Sequence, residues 1–106
     1  MTLREEKINS LLKRLLSEFF TRSKVSNCLV TVTEIDISKD LKFAKIFVSV
    51  YPDKESLRVL KILKKRGGEM RRYVGDKAKM KHVPFFEFQI DKGEINRQRI
   101  NELLEL

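Results

Sequence analysis

The first twenty residues carry apolar side chains at intervals of three and four positions, the spacing of one face of an amphipathic helix. The pattern predicts a helix over about residues 3–21, with an apolar face made of Ile8, Leu11, Leu12, Leu15, Leu16, Phe19 and Phe20. The polar residues 21–27 predict a connection to the next element.

Two segments rich in β-branched and aromatic residues follow, at 28–37 (CLVTVTEIDI) and 43–51 (FAKIFVSVY). This composition is typical of β-strands. In the second segment alternate positions share a face, and one face holds Ala44, Ile46, Val48 and Val50. Because only a short polar loop, Ser38-Lys39-Asp40, separates the two segments, we expect an antiparallel hairpin.

A pair of helices is predicted after Pro52. Asp53 is placed to cap the first helix. The buried side of this helix is marked by Leu57, Leu60 and Leu63, with Val59 and Ile62 close by. Gly67-Gly68 is a typical stop signal, and we expect one of these glycines to adopt a backbone conformation open mainly to glycine. The second helix is predicted over about residues 69–80; it should bury Met70, Tyr73 and Val74 and expose Arg71, Arg72, Asp76 and Lys79.

The last part of the chain predicts a third strand. Val83-Pro84 ends the preceding helix, since proline disfavours helical geometry in the residue before it. Residues 85–91 (FFEFQID) alternate, with Phe86, Phe88 and Ile90 inward, and Lys92-Gly93 predicts a turn before a short terminal helix over 95–105. The element order α-β-β-α-α-β therefore predicts an α+β fold, a three-stranded sheet with helices on one face.

Length and composition indicate one small domain. With 106 residues and 42% hydrophobic content, the chain should form a single domain over residues 1–106, with a core from about 3 to 91 and no need of a metal or disulfide. Cys28 has no partner for an internal disulfide, which favours a reducing compartment. The charged N-terminus and the absence of an apolar run of about 20 residues argue against a signal peptide or membrane span. We expect a cytoplasmic monomer.

Charge is concentrated in residues 54–82. This segment holds eleven Lys/Arg and three Asp/Glu, a net charge of +8 that equals the formal net charge of the whole chain. Lysine and arginine displace the counterions condensed on a polyanion, so the segment predicts a nucleic-acid surface first and an anionic membrane surface second. The residues predicted to contact RNA are Arg58, Lys61, Lys64, Lys65, Arg66, Gly67, Gly68, Arg71, Arg72, Lys77, Lys79 and Lys81.

The sequence contains little that predicts catalysis. Cys28 and His82 are its only cysteine and histidine, so no metal site of the usual ligands is expected. We interpret Cys28 as a small buried thiol at the start of a strand and His82 as a surface histidine beside the basic segment. Gly67-Gly68 lacks the spacing of a phosphate-gripping loop. Neither an enzyme activity nor a cofactor is predicted.

Several local motifs, in this order, resemble the ribosome-binding factor A family, a bacterial family with a type II KH-like fold. The resemblance covers the chain from the first helix to about Asp91, and its motifs are the first strand Leu29-Val30-Thr31-Val32-Thr33 with Ser38 and Asp40, the second strand from Ala44 to Val50, Gly68 with Arg71, and Val83-Pro84 with Phe88 and Asp91. No single motif is specific; their order and spacing are.

The resemblance implies a kinked helix pair where other KH domains carry a GxxG loop. It also implies binding to the free small ribosomal subunit, assistance in late maturation of its ribosomal RNA, and a role that matters most in the cold. The chain departs from the family in three places. Arg66 stands where the family kink has alanine, Phe85 stands where an acidic residue often follows the proline, and Lys81-His82 replaces a more usual arginine and apolar residue.

Two other functions are weighed against an RNA-binding module. A helix-turn-helix DNA-binding protein would use residues 54–80, with Arg71 and Arg72 on its recognition helix. The two long predicted strands and the lack of a three-helix core argue against it. A small enzyme is disfavoured by the lack of a catalytic constellation.

Overall fold

The structure is a computed structural model that describes residues 3–23 and 25–91. Its elements follow the predicted order, α-β-β-α-α-β, with a short 3₁₀ turn, Asp53–Glu55, before the second helix. They are α1 (Leu3–Arg22), β1 (Leu29–Ile37), β2 (Phe43–Tyr51), α2 (Ser56–Lys65), α3 (Gly67–Ala78) and β3 (Phe85–Ile90). The predicted turn at Lys92-Gly93 and the helix over 95–105 lie outside the described residues.

The three strands form one mixed sheet with β2 in the centre, in the order β1-β2-β3. β1 pairs with β2 antiparallel, from Leu29 opposite Tyr51 to Ile37 opposite Ala44, which confirms the predicted hairpin. β3 pairs with β2 in parallel, starting with Phe85 opposite Phe43. Parallel neighbours require a crossover connection, and α2 with α3 provides it.

A β-bulge at Thr33 changes the phase of the first strand. The register shifts between Val32 and Glu34, so the buried positions are Val32 before the bulge and Ile35 and Ile37 after it. The Thr33 hydroxyl donates to the Asp91 carboxylate at 2.6 Å and lies 3.2 Å from the Phe47 carbonyl oxygen. The residue that interrupts the ladder is thus tied to the end of β3, and the bulge keeps all the strand's isoleucines on the core side.

The core lies between one face of the sheet and the three helices, as predicted. β2 contributes Ala44, Ile46 and Val48, which have no exposed surface. The helices cover them with buried side chains from α1, α2 and α3, namely Leu12, Leu15, Leu16, Phe19, Val59, Leu63, Met70 and Val74. The other face of the sheet is not covered by any described element, and it exposes Leu29, Phe43, Tyr51 and Phe85.

The start and the buried side of α2 differ from the prediction. Asp53 does not cap the helix with its side chain; it begins a 3₁₀ turn, and the Ser56 hydroxyl donates to its carbonyl oxygen at 2.7 Å. The helix buries Val59 and Leu63, while Leu57 exposes 74% of its surface. Leu63 is buried as predicted and Leu60 is half-buried, but the prediction for Leu57 was wrong, because the face of α2 that packs on the core is centred on Val59 and Leu63.

The bounds of α3 also differ from the prediction, because the helix begins and ends two residues earlier in the sequence. The helix includes both glycines, starts at Gly67 and ends at Ala78, where Lys79 adopts the left-handed conformation with φ 53°. Met70 and Val74 are buried as predicted, and Tyr73 is half-buried with its ring 5.4 Å from that of Phe19.

The corrected face of α2 can be tested by a matched pair of leucine substitutions. Leu63→Ala should lower the free energy of unfolding by about 2–4 kcal/mol, because it removes a fully buried side chain and leaves a cavity. Leu57→Ala should change it by less than about 0.5 kcal/mol, since that side chain faces solvent. Urea denaturation followed by circular dichroism measures both, and equal losses would contradict the packing described.

Candidate nucleic-acid interface

The basic segment forms a kinked helix whose two halves are joined by one residue, Arg66. α2 ends at Lys65 and α3 begins at Gly67. The Arg66 backbone N–H donates to the Ile62 carbonyl, and the Arg66 carbonyl accepts from the Met70 N–H, both at 3.0 Å. The φ and ψ of Arg66, −94° and 8°, leave the helical region, and we call this interruption between α2 and α3 the kink. The two helices therefore hold a fixed relation without a flexible turn.

The two glycines do not have the conformation predicted for them. Among the glycines of the described part of the chain, none has a positive φ, and a Cβ added at Gly67 or Gly68 would meet nothing within 4 Å. The expectation of a glycine-only backbone was wrong because the kink falls on Arg66, whose dihedral angles suit any residue. What the glycines provide is a start of α3 that carries no side chain at its first two positions, before Glu69.

The side chain of Arg66 stabilises this kink through contacts with α3 and with the end of α1. It donates from Nε and Nη2 to the two carboxylate oxygens of Glu69, at 2.9 and 3.0 Å, and from Nη2 to the Ser23 hydroxyl at 2.6 Å. Its guanidinium also lies 5.1 Å from the centre of the Phe19 ring. The hydrogen bonds to Glu69 raise the pKa of Arg66, and the same hydrogen bonds hold the pKa of Glu69 below its usual value. Arg66 thus joins the kink to the end of α1.

Arg71 also points into the fold, and the prediction that it is exposed was wrong. It is half-buried, and it donates from Nε to the Pro84 carbonyl at 3.1 Å and from Nη2 to the Val83 carbonyl at 2.9 Å. Its guanidinium lies 4.1 Å from the centre of the Phe85 ring. Arg71 therefore fixes the start of β3 against α3, which explains why an arginine stands three residues after Gly68.

The remaining cations of the predicted set face solvent. Arg58 exposes 53% of its side chain and pairs with Glu55 at 2.6 Å, which raises the pKa of Arg58 and lowers that of Glu55 through their hydrogen bond. Two of the segment's three acids, Glu55 and Glu69, are therefore matched by arginines. The exposed cations beyond these pairs are Lys61, Lys64 and Lys65 on α2, Arg72 and Lys77 on α3, and Lys79 and Lys81 in the connection to β3.

The described residues offer no alternative chemistry at this surface. Cys28 is half-buried rather than buried, precedes β1 by one residue and lies 3.5 Å from Nη2 of Arg58. His82 is exposed, as predicted. Within residues 3–23 and 25–91, no three histidines, cysteines or acids are grouped closely enough to hold a metal ion. None of the helices in these ranges has the length and hydropathy required to cross a membrane.

Comparison of the amino-acid sequence with known proteins identifies the family of this chain. Residues 4–104 match the family model described as ribosome-binding factor A. The chain belongs to the ribosome-binding factor A family. Similar members include the ribosome-binding factor A of Natranaerobius thermophilus, 36% identical over 96% of this chain and 80% of that protein, and that of Halothermothrix orenii, 35% identical over 95% and 85%.

Solved structures of ribosome-binding factor A share the fold. The crystal structure from Thermus thermophilus superposes with a TM-score of 0.70 at 22% identity, covering 80% of this chain and 93% of that one. A homology model of the same Thermus protein, fitted into the cryo-EM map of a complex with the 30S subunit, has a TM-score of 0.66 at 23% identity and covers 76% and 88%. The KH-like α+β fold inferred from the resemblance is confirmed.

Sequence reasoning missed the internal roles of Arg66 and Arg71. Within a basic cluster every cation looks alike, and only tertiary contacts distinguish one that holds the fold from one that faces solvent. The signal for Arg66 was present, because Glu69 follows it by three residues, a spacing that allows an ion pair on a helix. No local signal marks Arg71, whose acceptors are backbone carbonyls twelve and thirteen residues away.

The role of Arg66 in holding the kink predicts a stability difference between neighbouring cations. Arg66→Ala should lower the free energy of unfolding by about 1–2 kcal/mol, because it removes the hydrogen bond to Ser23 and the contact with Phe19. Arg66→Lys should recover only part of the loss, since lysine lacks the planar fork. Lys65→Ala, one residue away and exposed, is the control and should change stability by less than about 0.5 kcal/mol.

The difference in the free energy of unfolding between wild type and Arg66→Ala should depend on pH. The folded-state pKa of Glu69 lies below its ordinary value of 4.5, so the stabilisation from its pair with Arg66 is present above that pH and is lost as the pH falls through the lower folded-state value. The gap between wild type and Arg66→Ala, measured by urea denaturation, should therefore narrow below pH 4.5. A gap that widens in acid would contradict this account.

Proposed function

We propose that this protein is a ribosome assembly factor that binds the free small ribosomal subunit in the cytoplasm and assists late maturation and processing of its ribosomal RNA. Membership of the ribosome-binding factor A family supports this function. Further support comes from the Thermus thermophilus protein of the same fold, which has been fitted into the map of a 30S complex. By its resemblance to the family, the role is expected to matter most in the cold.

We assign the contact to a basic surface made of the exposed cations of the kinked helix. The basic surface comprises Arg58, Lys61, Lys64, Lys65, Arg72, Lys77, Lys79 and Lys81. Gly67 and Gly68 belong to the same interface in this proposal, because α3 has no side-chain cap and no side chain at its first two positions that would keep a phosphate from the backbone N–H groups. Arg66 and Arg71, also predicted from the sequence to contact RNA, act in this proposal by holding the kink and β3 in place.

The mechanism follows from the residue types. Lysines are compact charges on flexible stems that adapt to phosphates without reading bases. A rigid kinked helix carrying such charges favours the RNA conformation whose phosphates match its bend, and in this way it can stabilise one folded form of the ribosomal RNA. This is binding rather than bond-breaking chemistry, so we propose that the protein is not an enzyme.

The kink also distinguishes this proposal from a helix-turn-helix DNA-binding protein. That motif joins two helices through a turn of about three or four residues, whereas α2 and α3 are separated by Arg66 alone. The backbone hydrogen bonds at Ile62, Arg66 and Met70 run across the junction. A recognition helix therefore lacks the turn that would let it enter a groove independently of its partner.

Sedimentation of a cell extract through a sucrose gradient tests the partner. The protein should migrate with free small subunits and should be depleted from assembled ribosomes. Migration with chromosomal DNA would instead support the DNA-binding alternative, and recovery only at the top of the gradient at low salt would contradict both functions.

Charge reversal on the basic surface should weaken RNA binding irrespective of sequence. If about four to six phosphates are contacted, the logarithm of the binding constant should fall against the logarithm of salt concentration with a slope of roughly −3 to −5. Lys61→Glu with Lys65→Glu should reduce affinity for unrelated structured RNAs alike and flatten this slope by about one to two units.

The matched control is Lys13→Glu with Arg14→Glu, which makes the same change in net charge at exposed positions of α1. Its effect on affinity should be clearly smaller, and filter binding or fluorescence anisotropy over a salt series measures both double variants. If the two double variants lose affinity equally, the interaction depends on net charge alone and the assigned surface is wrong.

We expect that Gly68, in the first turn of α3, contributes to binding and does not stabilise the fold. Gly68→Ala should raise the free energy of unfolding by about 0.5–1 kcal/mol, because the position is helical and has room for a Cβ. Gly68→Val should leave stability within about 0.5 kcal/mol of wild type, yet it should weaken small-subunit binding by covering the backbone N–H groups. Full binding by Gly68→Val would show that no phosphate approaches this turn.

A further inference from the structure

Two phenylalanines lie side by side on the uncovered face of the sheet. Phe43 begins β2 and Phe85 begins β3; they are paired across the two strands, with ring centres 6.1 Å apart. Each is more than half exposed, at 55% and 58%. Large apolar side chains exposed together commonly mark an interaction site. Each helix packs on the opposite face of the sheet, and Arg71 of α3 reaches around to the Phe85 ring.

The pair lines a groove of about 820 Å³ between the β1–β2 hairpin, the connection from α3 to β3 and the start of α1. Its apolar wall includes Leu41 and Met80. Its charged lining consists of four cations and one carboxylate, namely Arg4, Lys42, Arg71, Lys81 and Asp40. The carboxylate is already engaged, because Asp40 accepts hydrogen bonds from the Ser38 hydroxyl at 2.6 Å and the Lys42 backbone N–H at 3.0 Å. The groove is therefore both apolar and positively charged.

Hydrogen bonds within the protein hold two parts of the groove, the tip of the β1–β2 hairpin and the side chain of Arg71. The Phe43 N–H donates to the Ser38 hydroxyl oxygen at 3.1 Å, so the hairpin tip that carries Lys42 and Phe43 is ordered by its own hydrogen bonds. Arg71 is fixed by the Val83 and Pro84 carbonyls with its guanidinium over the Phe85 ring. The planar guanidinium covers one face of the Phe85 ring, so it adds a flat cationic group to the surface on which a base can stack.

We propose that Phe43, Phe85 and Arg71 form a stacking site for one or two unpaired RNA bases, with Lys42 and Lys81 on the adjoining phosphates. The inference rests on the proposed RNA-binding function and adds to it a second site, specific for single-stranded nucleotides. Aromatic rings next to cations suit a ligand that joins flat bases to phosphates. The site is short because, farther along the same face, Glu34, Asp36 and Glu87 outnumber Lys45 and repel a phosphate backbone.

A second copy of the chain suits this groove less well than RNA. In a symmetric dimer the same patch would meet itself, bringing Arg4, Lys42 and Lys81 of one protomer against their equivalents. Like charges at such a contact are unfavourable, whereas RNA phosphates neutralise them.

The test compares two RNA probes with variants that remove the rings but keep apolar bulk. Phe43→Leu and Phe85→Leu should each weaken binding of a fluorescein-labelled six-nucleotide oligouridylate or oligoadenylate by about tenfold, within the range of a lost base–aromatic stack. The second probe is an RNA hairpin whose two strands are joined by a flexible polyethylene glycol linker in place of a nucleotide loop, so that every base is paired. Binding to this hairpin should change less than about twofold, and the salt slope should stay the same, because no charge is removed. Phe85→Tyr retains a ring and should restore single-strand binding.

The matched control is Tyr51→Leu, which removes a 74% exposed aromatic ring from the same sheet face at the other end of β2. It should leave both probes unaffected. Unchanged single-strand binding in both phenylalanine variants would overturn the proposal, as would an equal loss on single strand and hairpin. A concentration-dependent change in sedimentation without a change in RNA affinity would assign the patch to self-association and also overturn it.

Failure of the stacking site can be distinguished from failure of the proposed small-subunit binding function. If wild type binds the small subunit and the hairpin while the phenylalanine variants behave normally, only the stacking site fails. If wild type binds neither RNA probe nor the small subunit, the proposed function fails and the stacking site fails with it.

Discussion

The parallel pairing of β3 with β2 is the constraint on which the rest of this structure depends. A hairpin cannot join parallel neighbours, so the chain must leave the sheet after β2 and return to the same end through a crossover. The kinked helix formed by α2 and α3 is that crossover, and it packs on the face of β2 made of Ala44, Ile46 and Val48. The same arrangement places the basic segment on the helical side of the molecule and leaves the other face of the sheet bare.

The positive charge of residues 54–82 is divided between two uses, and only arginines, two of the four in the segment, serve the internal one. The arginines Arg66 and Arg71 are directed inward, where a planar group with several donors can bind a carboxylate, a hydroxyl or two carbonyls at once. The lysines of the same segment all face solvent. A lysine has a compact, strongly hydrated charge that is costly to bury, so it remains available to a phosphate. Counting charges alone overstates the binding surface by the two arginines that maintain its shape.

The proposed RNA contacts lie on two differently built surfaces that share a support. The basic surface presents flexible charges along a helix, whereas the groove beside Phe43 and Phe85 presents fixed, flat groups at the sheet edge. Arg71 connects them, because it belongs to α3 and lies over the Phe85 ring. A structured RNA with a short unpaired segment would engage both, and the rigid crossover would set the distance between its paired and unpaired parts.

The sequence by itself determined the order of the elements, the strand faces and the location of the charge. Periodicity is local, so Leu12 and Leu16 on α1, or Ile46 and Val48 on β2, show their burial without knowledge of the fold. Only the tertiary structure decided what depends on distant contacts. Three features are of this kind. α2 buries Val59 and not Leu57, the kink lies at Arg66 and not at the glycines, and the Arg71 side chain turns inward. In each case the deciding contacts are with residues distant in sequence, which a local pattern does not contain.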